Sequence, residues 1–197
     1  MKFILGPVPP STTLDATAAG WVPLRSPRSA QTVIFACFAM IPWFLLAGQA
    51  LRNAADVLPP AQLMGVAAFT LLLVPLHEFA HALGYGQRFS SPHLWTGIWP
   101  QRGIWYVLYD APLPRNRVVF MLLAPVLYLS LLPLVALPLV SPGTRYGLLY
   151  LVCIQSALCM GDVLSALRLL RQVTPGASVH NNGWNTYWST DEQPVPT

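Results

Sequence analysis

The chain has 197 residues, of which 54% are hydrophobic and only 9% charged, with a net charge of +4. Soluble globular chains carry about 25% charged residues, so this composition excludes an ordinary soluble domain. So few and so scattered positive charges also exclude a nucleic-acid-binding surface. The apolar residues gather in four runs, 30–51, 63–83, 118–140 and 146–170. Each is close to the roughly 20 residues a helix needs to cross a bilayer.

The first 29 residues read as a tail. Its opening, MKFILGPVPP, is too short an apolar core for a cleaved signal peptide, because Pro7, Pro9 and Pro10 interrupt it. The first span therefore serves as an uncleaved insertion signal. Pro59 and Pro60 suit the first turn of span two, where missing N–H groups cost nothing, and Gly84 and Gly86 suit its exit. Within span two, Pro75 frees the carbonyl of Leu71 and favours a bend that would open a polar pocket. Between spans two and three, two runs rich in Trp, Tyr, Ile and Val flank Pro-Gln-Arg-Gly, and this pattern predicts a β-hairpin over 93–110. Its aromatic residues suit a membrane–water interface. Pro125, Pro133 and Pro138 fall in span three, and each leaves a backbone carbonyl without its helical donor. Residues 172–197 form a second tail with Trp184, Tyr187 and Trp188 among polar neighbours, either interfacial or disordered.

The predicted fold is thus an all-α membrane protein. Four transmembrane helices occupy 30–171, and a short cytoplasmic or interfacial β-hairpin lies between helices two and three. Nine of the eleven basic residues fall on one side of four crossings, with only Arg52 and Arg145 on the other. The positive-inside bias then places both termini and the 85–117 connection in the cytoplasm of a multi-pass protein of the plasma (inner) membrane, with the bilayer as its first partner. Cys37, Cys153 and Cys159 lie in spans and lack metal spacing, so they read as small packing residues.

Span two contains HEFAH, His77 to His81. In a helix, HExxH sets two imidazoles one turn apart on one face with a carboxylate beside them, an arrangement that grips zinc and supplies a base for water. Such residues are costly in hydrocarbon, and function is the default reason for them. A catalytic zinc site wants three protein ligands and an open position. HEFAHALGYGQ follows HExxHxxGxxH until Gln87 replaces the last histidine, and the only other glutamate is Glu192, near the C-terminus. The remaining candidates are Asp110, Asp162, His93 and His180. Asp162 is the best placed. His77 lies 17 residues after Pro60 and Asp162 lies 16 after Tyr146, so both stand about 25 Å from the outer ends of their spans. Gln155, Cys159, Asp162 and Ala166 also share helical spacing. His93 and His180 read as interfacial residues and Asp110 as part of the loop into span three.

HEFAH on one span, CMGD on a later one and LLAPV (Ala124, Pro125) in span three together resemble the putative zincin peptidase family of small membrane proteins. The arrangement is also similar to site-2 proteases, in which HExxH and an Asp of a later helix hold zinc. The chain departs from those enzymes in having only MGD, Met160 to Asp162, where they carry NxxPxxxLDG. The reading is therefore a membrane-embedded zinc metallopeptidase with one zinc per chain. His77, His81 and Asp162 are the metal ligands, and Glu78 is the catalytic general base. A peptide or membrane-protein segment is the substrate, Asn116 and Arg117 are candidate oxyanion donors, and an edge of the 93–110 hairpin is a candidate docking strand. The alternative is a non-catalytic membrane scaffold braced by zinc, or a metal-sensing protein. Glu78 separates the two, because a bracing site has no use for it.

Overall fold

The computed structural model describes residues 1–15, 20–25 and 29–190. Arg28 and Glu192 lie outside them. The elements in chain order are β1 (Lys2–Leu5), β2 (Val22–Pro23), α1 (Ser29–Val57), α2 (Pro60–Tyr85), β3 (Leu94–Trp99), β4 (Ile104–Tyr109), β5 (Leu113–Pro114) and α3 (Arg115–Val126). A π-helical turn at Leu127–Leu131 leads into α4 (Leu132–Ala136), and then follow α5 (Pro142–Leu158), α6 (Met160–Gln172), β6 (Ser178–Asn182) and β7 (Asn185–Ser189). The described residues are mostly helical and include two small sheets. Among the described residues, three helical stretches, Ile34–Val57, Pro60–Tyr85 and Arg115–Leu139, are long and apolar enough to cross a membrane, and α5 with α6 makes a fourth if that bent pair counts as one.

By its contacts the chain forms two compact units. One comprises Pro27–Ala80 and Leu123–Leu164. Here α1 packs on α5, with Ala47, Ala50 and Ala54 buried. Small residues let apolar helices approach closely where no hydrophobic drive separates them from their surroundings. Gly147 of α5 does the same against α2, where an added Cβ would stand 2.9 Å from Val66 Cγ2. The outward faces are apolar, with Leu71 79% and Leu139 87% exposed. Ser141 caps α5, its side chain accepting from the Thr144 amide, with Pro142 in the first turn.

The fourth predicted span is not one straight helix. α5 ends at Leu158, α6 starts at Met160, and the two are bent by 45°. Cys159 at the joint has ψ −7°, outside the regular α range, and Gly161 follows two residues later. A strict i, i+4, i+7 count through Asp162 therefore does not describe this segment. The bend instead places Asp162 in the first turn of α6, where a carboxylate is favoured by the helix dipole.

The other unit comprises Met1–Ser26, His81–Leu122 and Ser165–Thr197. Its core includes Tyr85, Leu94, Tyr109, Leu113, Met121, Leu169 and Val179. The predicted hairpin is present as β3–β4, closed at 100–103 with Gly103 at φ +62°. The described parts of the two predicted tails contain strands. β1 pairs in parallel with β3 to give a sheet β1-β3-β4, and β6–β7 form a hairpin in a second sheet, β2-β7-β6-β5. The pairing of residues 2–5 with 95–98 has no local signature, since a sequence period reports a strand and not its distant partner. Gly97 is required where Tyr106 crosses β3, because a side chain there would overlap the Tyr106 ring. The Tyr106 hydroxyl donates to the carbonyls of Gly6 and Pro7, each at 3.2 Å.

Candidate metal centre

The four carboxylate and imidazole side chains that could complete a zinc site fall into two groups. Asp110, His93 and His180 converge in the sheet-bearing unit. Asp110 is 1% exposed and accepts from Ser11 Oγ at 2.5 Å, Thr12 Oγ1 at 2.6 Å and the Thr12 amide at 3.0 Å. His180 Nε2 stands 3.4 Å from Asp110 Oδ1, and His93 Nδ1 lies 3.0 Å from the Asp110 carbonyl. Asp110, in the loop between β4 and β5 that leads toward α3, is thus a clamp on the N-terminal segment, and His93 and His180 both contact it.

The pH behaviour of this clamp follows from its surroundings. Burial alone would raise the Asp110 pKa, but the hydrogen bonds from Ser11, Thr12 and His180 outweigh it and hold the carboxyl below its ordinary value. Burial lowers the His180 pKa, only partly offset by Asp110, and its buried Nδ1 has no partner among the described residues. A depressed histidine keeps its full contribution above its unfolded value of about 6.5 and loses it as pH falls toward the folded value. A depressed carboxylate behaves likewise, with its loss as pH falls through its own lower value. Both signs agree, so acidification loosens the clamp. The expected result is a fall in the hydrogen-exchange protection factor of the Thr12 amide between about pH 7.5 and pH 5, after correction for intrinsic exchange. A protection factor constant across that range would contradict it.

Asp162 is the fourth candidate, and it meets His77. His77 is 9% exposed, and its Nε2 lies 3.1 Å from Asp162 Oδ2. Among the described residues, the donors that lie within 4.8 Å of one another are those of His77, Cys159 and Asp162. Cys159, read from sequence as packing, therefore joins the cluster, while His81 and Glu78 are not part of it. Two sides of the His77 ring are differently occupied. Asp162 faces Nε2, whereas Gln155 Nε2 lies 2.9 Å and Cys159 Sγ 3.9 Å from Nδ1. Gln155 is fully buried, and among the described residues its Oε1 has no partner. Gln155 was legible only as a member of the 155, 159, 162 series. Nothing in a sequence says that such a residue meets a histidine 78 positions away.

His81 follows one turn after His77 on α2 and is 7% exposed. Its Nδ1 is 2.9 Å from the carbonyl of Met121. A carbonyl only accepts, so Nδ1 carries the hydrogen, and in the neutral ring Nε2 holds the lone pair. That is the form in which histidine binds metals. The two candidate oxyanion donors also make hydrogen bonds within the protein. Arg117 Nε donates to the Tyr85 carbonyl at 2.7 Å, with its guanidinium lying where a side chain at Gly86 would be. Asn116 Oδ1 accepts from Arg115 Nε and Nη2 at 3.1 and 2.9 Å.

The donor set fits zinc. Nitrogen and carboxylate oxygen bound to one tetrahedral zinc at about 2.0–2.1 Å stand about 3.3 Å apart, close to the 3.1 Å between His77 Nε2 and Asp162 Oδ2. A buried imidazole facing a carboxylate on an apolar helix is also an arrangement that asks for a charge to share. No curated protein and no solved structure matches the chain. The sequence pattern of the family described as "Putative zincin peptidase" matches residues 70–177, more than half of the 197, and spans HEFAH, LLAPV and CMGD. The chain belongs to the putative zincin peptidase family.

Proposed function

We propose that the protein is a membrane-embedded zinc metallopeptidase in which His77, His81 and Asp162 hold one zinc and Glu78 is the general base. The observation that carries this reading is the approach of His77 Nε2 to Asp162 Oδ2, 3.1 Å, at an HExxH motif on an apolar helix. When bound, zinc would supply a Lewis acid for the scissile carbonyl and acidify a water. The protein's own part is positioning and proton transfer. His77 and His81 share one face of α2, and Glu78, half-buried, is displaced around the helix from them. From there it takes the proton of the attacking water and returns one to the leaving amine. The apolar, largely exposed faces of α1 to α3 support residence in a lipid bilayer. The arginine distribution supports both termini in the cytoplasm. A substrate of extended peptide, drawn from a membrane protein, suits a strand edge such as that of β4.

The test uses the purified chain in detergent with a set of unfolded and membrane-derived peptides. Cleavage that a chelator abolishes and added zinc restores is the expected result. Zinc uptake with no cleavage across the set would favour the bracing or sensing reading instead.

A further inference from the structure

We propose that Pro125 is a positioning residue for the metal centre, acting through the Met121 carbonyl on His81. The inference rests on the reading of His81 as a ligand and adds to it the device that presents the ring. In an α-helix the carbonyl of residue 121 accepts from the N–H of residue 125. Residue 125 of α3 is proline, which has no N–H to give. The Met121 carbonyl therefore lacks its regular helical donor, and it is this carbonyl that His81 Nδ1 reaches at 2.9 Å. Both groups are secluded, with Met121 6% and His81 7% exposed and Pro125 under 2%. Water is a poor substitute partner at such a place, so a freed carbonyl needs a protein donor.

The consequence for His81 is specific. A hydrogen held on Nδ1 fixes the ring's orientation and leaves Nε2 as the lone-pair nitrogen, before any metal arrives. A proline inside a helix interior is markedly less favourable than alanine, because it removes a hydrogen bond and crowds the preceding turn. Here that cost has a use, because an ordinary residue at 125 would supply an N–H that competes with His81 for the same carbonyl. The role predicts an unusual pair of signs. Replacing the proline should leave the fold as stable or more so, yet weaken the metal site.

The experiment measures zinc affinity of the purified chain in detergent by competition with a chromophoric chelator, for wild type, Pro125→Ala and His81→Ala. The melting temperature of each zinc-free protein is measured alongside. We expect Pro125→Ala to bind zinc about 10- to 100-fold more weakly, the range for groups that orient a ligand, with an unchanged or raised melting temperature. Nitrogen NMR of the zinc-free wild type should place the His81 hydrogen on Nδ1, and in Pro125→Ala that signature should be diluted. Wild-type affinity in Pro125→Ala, or an affinity loss matched by a drop in melting temperature, overturns the proposal. Should Pro125→Ala fail to fold, the wild-type spectrum decides alone, and a hydrogen on Nε2 of His81 overturns it. His81→Ala separates the two levels: if it retains wild-type zinc affinity, the ligand assignment itself fails and this inference with it.

Discussion

Glu78→Gln is expected to retain zinc at the wild-type level and to lose about 100- to 10,000-fold in peptide hydrolysis, the usual worth of a general base. The reason lies in the division of labour along one turn of α2. His77 and His81 are separated by four residues and lie on one face, while Glu78 is one residue on from His77 and rotated away from that face. Gln keeps the size of Glu and most of its hydrogen bonding but cannot take a proton. The measurement compares cleavage by the two proteins at equal zinc content. Equal rates would remove Glu78 from the chemistry. A loss of zinc in Glu78→Gln would mean that the carboxylate is a ligand and that the roles within HEFAH are misassigned.

The second large effect separates the two later members of the cluster. Asp162→Ala is expected to lose more than about 100-fold in zinc affinity, beyond the range for groups that only orient ligands. Cys159→Ala is expected to keep its affinity within that range or better. The two sides of the His77 ring set this difference. Asp162 lies on the Nε2 side at 3.1 Å, whereas Cys159 lies 3.9 Å from Nδ1, alongside Gln155. Only one imidazole nitrogen takes a metal, and the Gln155 Nε2 donor makes Nδ1 the acceptor of the neutral ring, so zinc at Nε2 requires the Gln155 amide turned to present Oε1 to an Nδ1 hydrogen. With Nε2 toward Asp162, Gln155 and Cys159 stand behind the ring. Coordination through Nδ1 would reverse the assignment, and the two variants would then exchange outcomes. Chelator competition on both, in the same detergent, reads the difference directly.

The long helices were legible because an apolar run of spanning length, almost free of charge, satisfies its backbone most readily as a helix. The 93–110 hairpin was legible because its β-prone runs flank a turn sequence. The nearness of His77 and Asp162 could be reached by counting residues from the outer ends of two apolar runs, since helical rise converts a count into a depth. The bend at Cys159 could not be reached that way. Its physical cause is a local backbone departure, ψ −7° at Cys159 close to Gly161, which average propensity does not register. The same limit applies to the tails. Residues 2–5 and 178–189 are short and mixed in character, and what fixes them is pairing with distant strands and the Asp110 clamp on Ser11 and Thr12. Composition reports none of those partners. Gln155 illustrates the point within the site: its residue type is ordinary, and its position against His77 exists only once the helices pack.

Metal content decides whether the His77–Asp162 cluster is a zinc site. The purified chain, loaded with zinc and freed of excess by dialysis, should carry about one zinc per chain by elemental analysis. His77→Ala treated identically should carry almost none. A wild-type protein that holds no zinc, or a His77→Ala variant that holds as much as wild type, would mean that the cluster is not a zinc site.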